Sequence, residues 1–277
     1  MLKINVFLLN IQKYNQLEKN NFFKSKIFFS LLSFFVPFAV YLKTLAPSVS
    51  FIDTGELAAV CTKLGIAHPT GYPLFTIIGH LFSLLPFGEE VYRLNFMCAV
   101  LSSLALVVFF NLLVFIFRDF NLEHSQKEKK PGAGLNDFII YLISFAGTLI
   151  LGFSTTYWNI SNSLEVYSLH QLLIISIIFV ILKASNESNK KDSRADIYWI
   201  FFAFLLGLSF SNHLSTIFMS VGCLYLYFVI NRFNNISFKR LAIMAIPFLI
   251  AFSVYIYFPI RADNPVLSWG YPDNWNN

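Results

Sequence analysis

Seven apolar runs of roughly 15 to 25 residues recur along the chain, over 27–45, 91–117, 138–158, 169–184, 197–212, 214–230 and 241–259. Each is bounded by short charged or Pro/Gly-bearing segments. Runs of this length bury every backbone N–H and C=O inside one helix, which is what a hydrocarbon surrounding demands. They predict an all-α, polytopic transmembrane helical bundle of about seven spans. Composition agrees: of 277 residues 56% are hydrophobic and only 13% charged, with 33 Phe and a mean hydropathy of +0.62. That leaves too few polar side chains to cover a water-soluble globule, which argues against a soluble enzyme. A transmembrane barrel would show alternating strands instead, and the runs do not alternate. The segment 73–87 is shorter, carries His80 and has Pro86 near its end, and reads as an interfacial or re-entrant helix.

Charge sets the expected orientation. Residues 1–26 carry Lys3, Lys13, Lys19, Lys24 and Lys26 against Glu18, with no A-x-A cleavage site, so this basic segment is expected to be cytoplasmic and the first span retained. Taken with 118–137, 183–196 and 231–240, it leaves only Lys43, Lys63, Arg93 and Arg261 of the 20 Lys and Arg outside one set of loops. This is the positive-inside pattern, so the net charge of +5 reports topology and not a nucleic-acid partner. The expected division is a cytoplasmic segment 1–26, a transmembrane domain 27–260 and an extracytoplasmic segment 261–277. Cys61, Cys98 and Cys223 show no metal or redox spacing and read as apolar fillers.

The same topology gathers the costly polar residues on the other face: Asp53, Glu56, His68, Glu165, Tyr167, His170, Asn212, His213 and Arg261. Ionisable groups at a membrane boundary are expensive to desolvate, and their assembly from distant segments is a candidate site. Asp53 and Glu56 admit two readings. They have the spacing of a capping box opening a helix that Gly65 ends. They also supply two carboxylates on one helical turn, able to take a proton from a hydroxyl. The run from His68 through Tyr72 to Pro73 restricts the backbone, and Pro73 suits the first turn of a helix. Tyr167 and His170 are three apart, hence on one helical face with Glu165 before them. Asn212 suits a turn, and Arg261 either snorkels or pairs with a phosphate. No HExxH-type spacing occurs, so no metal ligands are assigned; a metal site would need carboxylates and His converging from separate segments. No internal repeat of fixed period points to a repeat-built transporter.

Phe-x-Asp-x-Gly-Glu, then Leu-Gly-Ile-Ala-His-Pro-x-Gly-Tyr-Pro-Leu, Arg93-Leu94-Asn95, Glu165-Val166-Tyr167-x-Leu169-His170, Asn212-His213, Pro259-Ile260-Arg261-Ala262 and Trp269-Gly270 follow one another from about residue 30 onward. In this order they resemble the membrane proteins grouped as domain of unknown function 2723. The animal relatives of that family are protein O-mannosyltransferases, placed with glycosyltransferases of the C-type fold. The resemblance implies a multi-pass enzyme moving a sugar, mannose by analogy, from a polyprenyl-phosphate donor to a hydroxyl of a protein or glycan on the extracytoplasmic side. It implies Asp53 as catalytic carboxylate and Glu56 as its helper, with His68, Tyr72, Glu165, Tyr167, His170, Asn212, His213 and Arg261 lining the substrates. No cofactor beyond the lipid-linked donor is implied, and a divalent metal is left open. The partners are then the donor, the acceptor and the lipid bilayer, and the location a bacterial cytoplasmic membrane. Thr70 departs from the family pattern, where many relatives have Pro. Relatives also continue with further spans, so the chain is expected to be a piece of a longer protein. A transporter or flippase-like binding protein is the competing reading, and would place its ionisable residues at mid-membrane.

Overall fold

The computed structural model describes residues 24–50, 53–128, 135–188, 194–263 and 266–269, with 121–128 described as backbone only. Most of the basic segment 1–26 and the end 270–277 lie outside the described residues. The chain is all-α: α1 (Lys24–Thr44), α2 (Thr54–Lys63), α3 (Pro73–Ser83), α4 (Glu90–Glu128), α5 (Asp137–Gly152), α6 (Thr155–Asn162), α7 (Tyr167–Ser188), α8 (Ala195–Phe210), α9 (Thr216–Asn231), α10 (Asn235–Phe252) and, after a 3₁₀ turn, α11 (Tyr257–Ala262). Each apolar run forms helix. Among the described residues four helices are long and apolar enough to cross a membrane, Lys24–Thr44, Glu90–Phe120, Tyr167–Ser188 and Asn235–Ala262. A fifth crossing exists if α5 and α6 count as one span. At 16 residues each, α8 and α9 reach about 24 Å against a hydrocarbon core of about 30 Å, so length does not establish a count of seven.

The run 138–158 is not one straight span. It bends by 68° after Gly152. Ser154 takes an extended conformation and opens α6, and the buried Tyr41 hydroxyl donates to the Gly152 carbonyl that the break frees (2.6 Å). By contrast α3 has the expected short form: 11 residues with Pro73 in its first turn, packed against α2 and α4.

Packing joins α2, α3, α4, α7, α8 and α9 around one core that includes Leu57, Phe75, Met97, Ile177 and Trp199. The three cysteines are buried and unpaired, as fillers should be. The most intimate helix pair is α8 with α10. On α8 and its C-cap, Ala203, Gly207 and Ser211 recur every four residues. A Cβ on Gly207 would collide with the Phe248 carbonyl, and Ser211 Oγ donates to the Ala251 carbonyl (3.3 Å). Small residues at this spacing let two membrane helices approach until their backbones touch.

Polar contacts separate two ends. At one, Ala46 N–H donates to Asn162 O, Leu74 N–H to Ser211 O, Ile66 N–H to Leu267 O and Asn212 Nδ2 to Val166 O. At the other, Arg118 pairs with Asp137, Asn186 with Asp119, and Arg240 with Asp196. Among the described residues the basic flanks Arg118, Lys183 and Arg240 are at this second end, and the candidate site residues are at the first.

Candidate functional site

The first connection between spans builds the site. Asp53 precedes α2 in a helical conformation (φ −83°, ψ −7°), and its side chain makes no capping bond. An N-cap side chain needs an extended backbone to fold back onto the N2 or N3 amide, so the expected capping box does not form. Nor does Gly65 end the helix: Leu64 takes the left-handed turn (φ 52°), and Gly65 is needed because a Cβ there would lie 2.7 Å from the Leu267 carbonyl. The carboxylate of Glu56 instead reaches across the loop. Its Oε1 accepts from the His68 backbone N–H (2.7 Å) and its Oε2 lies 2.9 Å from His68 Nδ1. A carboxylate cannot donate, so this pair places a proton on Nδ1 and leaves Nε2 to accept from the Tyr72 hydroxyl (3.1 Å). Asp53 Oδ2 lies 3.9 Å from the same Nε2, with its side chain 49% exposed. Asp53, Glu56 and His68 thus offer ligand-type atoms all within 4.8 Å of one another, a set that could hold a divalent cation.

Tyr72 continues the site into the bundle. Its ring stacks on His213 (centroids 5.6 Å, 21°), which in turn touches Tyr167 at 5.4 Å and His170 at 4.9 Å. Tyr167 and His170 do share a face, as their spacing predicts. Burial raises the Tyr72 hydroxyl above its ordinary value, with Tyr167, Asp53 and Glu56 adding to the shift, and burial lowers His213. Ser215, which no pattern in the sequence singles out, joins the two imidazoles: its Oγ lies 2.8 Å from His213 Nδ1 and 3.0 Å from His170 Nε2. The Ser215 backbone N–H also donates to His213 Nδ1 (3.2 Å), so that nitrogen is an acceptor. The hydroxyl then donates to His213 and accepts from His170 Nε2, which leaves His170 Nδ1 a buried acceptor without a hydrogen-bond partner among the described residues. Asn212, 1% exposed, ties this turn to Val166.

Glu165 stands beside both groups. Burial raises its carboxyl above the usual range, the Asp53 charge raises it further and His68 pulls it down. With Ser50, Asn159, Asn162, Ser163 and Tyr167, Glu165 lines a cavity of about 570 Å³ at this end. Arg261 is placed differently. Its Nε donates to the Leu64 carbonyl (2.8 Å) and its second guanidinium nitrogen to the Lys63 carbonyl (3.2 Å), closing the C-terminal end of α2. Tyr257 adds a bond to Gly65 O (2.7 Å), and Trp269 sits 6.4 Å from the His68 ring.

Residues 53–237, which include Asp53, Glu56, His68, Glu165, His170 and His213, match the family model described as Protein O-mannosyl-transferase TMEM260 N-terminal domain. The chain belongs to this family. Protein O-mannosyl-transferase TMEM260 of Mus musculus is 28% identical over 238 residues, covering 85% of this chain and 30% of the mouse protein. The Dictyostelium discoideum protein of the same description is 26% identical over 261 residues, covering 89% of the chain and 29% of that relative. The chain therefore spans about 30% of the length of the curated relatives it matches. No solved structure matches it. Of the site residues expected from the sequence, Asp53, Glu56, His68, Tyr72, Tyr167, His170 and His213 form one connected cluster, Glu165 adjoins it, and Asn212 and Arg261 hold its walls.

Proposed function

We propose that the chain forms the membrane-embedded catalytic end of an O-mannosyltransferase that moves a sugar from a polyprenyl-phosphate donor to a protein hydroxyl on the side opposite the basic loops. One observation carries this reading: in a chain of this family, Asp53 faces open space beside a His68 already oriented by Glu56. In the proposed reaction Asp53 accepts the proton of the acceptor hydroxyl as that oxygen bonds to the sugar's anomeric carbon. The anomeric C–O bond to phosphate breaks, and the electron pair leaves with the polyprenyl phosphate. Glu56 acts through His68, holding Nδ1 so that Nε2 and the Tyr72 hydroxyl present a fixed polar edge. The cavity beside Glu165 and Tyr167 is assigned to the acceptor. Ionisable groups clustered at one end of the bundle, and not at mid-membrane, favour transfer over transport.

The test is transfer of labelled mannose from a polyprenyl-phosphate donor to a hydroxyl-bearing peptide in membranes containing the protein. Asp53→Asn should lower transfer by about 10² to 10⁴, the range typical of losing a general base. Because Asp53 makes no side-chain cap, both Asp53→Asn and Asp53→Ala should melt near the wild-type temperature. Near-normal transfer by Asp53→Asn in an active preparation would remove Asp53 from the base role.

A further inference from the structure

The opposite end of the bundle carries a second polar cavity, independent of the transfer reading. It encloses about 710 Å³ between α1, α4, α5 and α7. Lys26, Arg118 and Lys183 enter it from three different helices, and Val114, Phe115 and Phe179 form apolar walls. Two carboxylates also line it, and both are engaged: Asp137 Oδ1 accepts from Arg118 at 2.8 Å, and Asp119 accepts from Asn186. Lys183 Nζ faces the Phe179 and Tyr198 rings at 4.8 and 5.7 Å. Among the described residues neither Lys26 nor Lys183 has a carboxylate within ion-pair distance. Three cations against two carboxylates leave a positive balance in a cavity at the edge of the apolar belt. Arg118 is paired with Asp137, but Lys26 and Lys183 converge without a carboxylate beside them; such like charges repel one another, and an anion that neutralises them is favoured. Ile27, Phe28 and Leu31 follow Lys26 on the first turns of α1 and remain exposed, an apolar surface suited to acyl chains.

We propose that this cavity holds the phosphate of an anionic membrane lipid, with Lys26 and Lys183 as its charge partners and the walls at Phe115 and Phe179 against the glycerol and upper acyl carbons. Basic pockets between helices at the membrane edge select anionic headgroups in this way. The protein is placed in nanodiscs of phosphatidylcholine with or without phosphatidylglycerol, then released for native mass spectrometry and melted in parallel. Retained phosphatidylglycerol and a higher melting temperature in its presence are expected, with no such rise from inorganic phosphate in neutral nanodiscs. Lys26→Gln and Lys183→Gln should each weaken retention about fivefold. Lys239→Gln, an exposed basic position at the same end outside the cavity, should not. The charge-keeping pair Lys26→Arg and Lys183→Arg should retain lipid like the wild type, which separates lost charge from lost folding. Equal retention by the Gln variants, equal loss in the Arg variants, or the same melting rise from inorganic phosphate would each overturn the lipid site.

Discussion

At the residue scale, Glu56 shows how a local pattern is overruled by a partner twelve residues away. The Asp-x-x-Glu spacing favours a capping box, yet two hydrogen bonds from His68 to one carboxylate exceed what a single exposed cap contributes, and charge-assisted bonds are the stronger kind. Glu165 is the residue whose titration should be visible. Burial and the Asp53 charge hold its carboxyl above the ordinary range, so the folded chain binds this proton more tightly than the unfolded chain does. Stability from this group is then full below the unfolded carboxylate value and falls as pH rises towards the raised folded value. Glu165→Gln should therefore melt higher than wild type at neutral pH, by on the order of 1–2 °C. The gap should close as pH drops below the ordinary carboxylate range. A melting series across pH for the two proteins checks this, and a variant that is less stable than wild type at neutral pH would contradict it.

At the element scale, the decisive contact is the α8–α10 crossing. Sequence periodicity marks both as apolar helices but does not say which faces meet, because lipid is as apolar as a neighbouring helix. The stripe of Ala203, Gly207 and Ser211 resolves the choice by allowing backbone approach. Gly207→Ala puts a methyl against the Phe248 carbonyl and 2.9 Å from Ala251 Cβ, where backbone and not a flexible side chain must yield. Overpacking of this kind costs about 1–3 kcal/mol. The expected outcome is a lower melting temperature for Gly207→Ala and an unchanged one for Gly222→Ala, whose added methyl meets nothing within 4 Å. A thermal shift assay in detergent decides it. The break between α5 and α6 belongs to the same scale: Gly152 and the polar run Ser154-Thr155-Thr156 interrupt an otherwise apolar run, and the extended Ser154 with Tyr41 docked on the Gly152 carbonyl fixes the bend there.

At the scale of the whole molecule, the two ends differ in charge, and this asymmetry can be tested directly. The three native cysteines are buried, so an added surface cysteine should dominate labelling. In intact cells an impermeant maleimide should react with Ser48→Cys at the site end and spare Lys239→Cys at the basic end, both positions being exposed. Reaction of Lys239→Cys with protection of Ser48→Cys would invert the orientation and move the proposed transfer to the cytoplasmic side.

The helical architecture was legible in the sequence because hydrocarbon permits so few ways of satisfying a backbone: seven apolar runs had to be helices, and the uneven Lys and Arg marked their ends. The gathering of Asp53, Glu56, His68, Glu165, His170 and His213 at one end follows from alternating the runs. How these residues divide the work does not. Asp53 open, Glu56 bound to His68, Arg261 turned to the end of α2, and Ser215 between two imidazoles are decided by contacts between segments 45 to 198 residues apart and by the loop that folds His68 back onto α2. Such contacts depend on where helices cross and how loops close, and no periodicity along the chain encodes that distance.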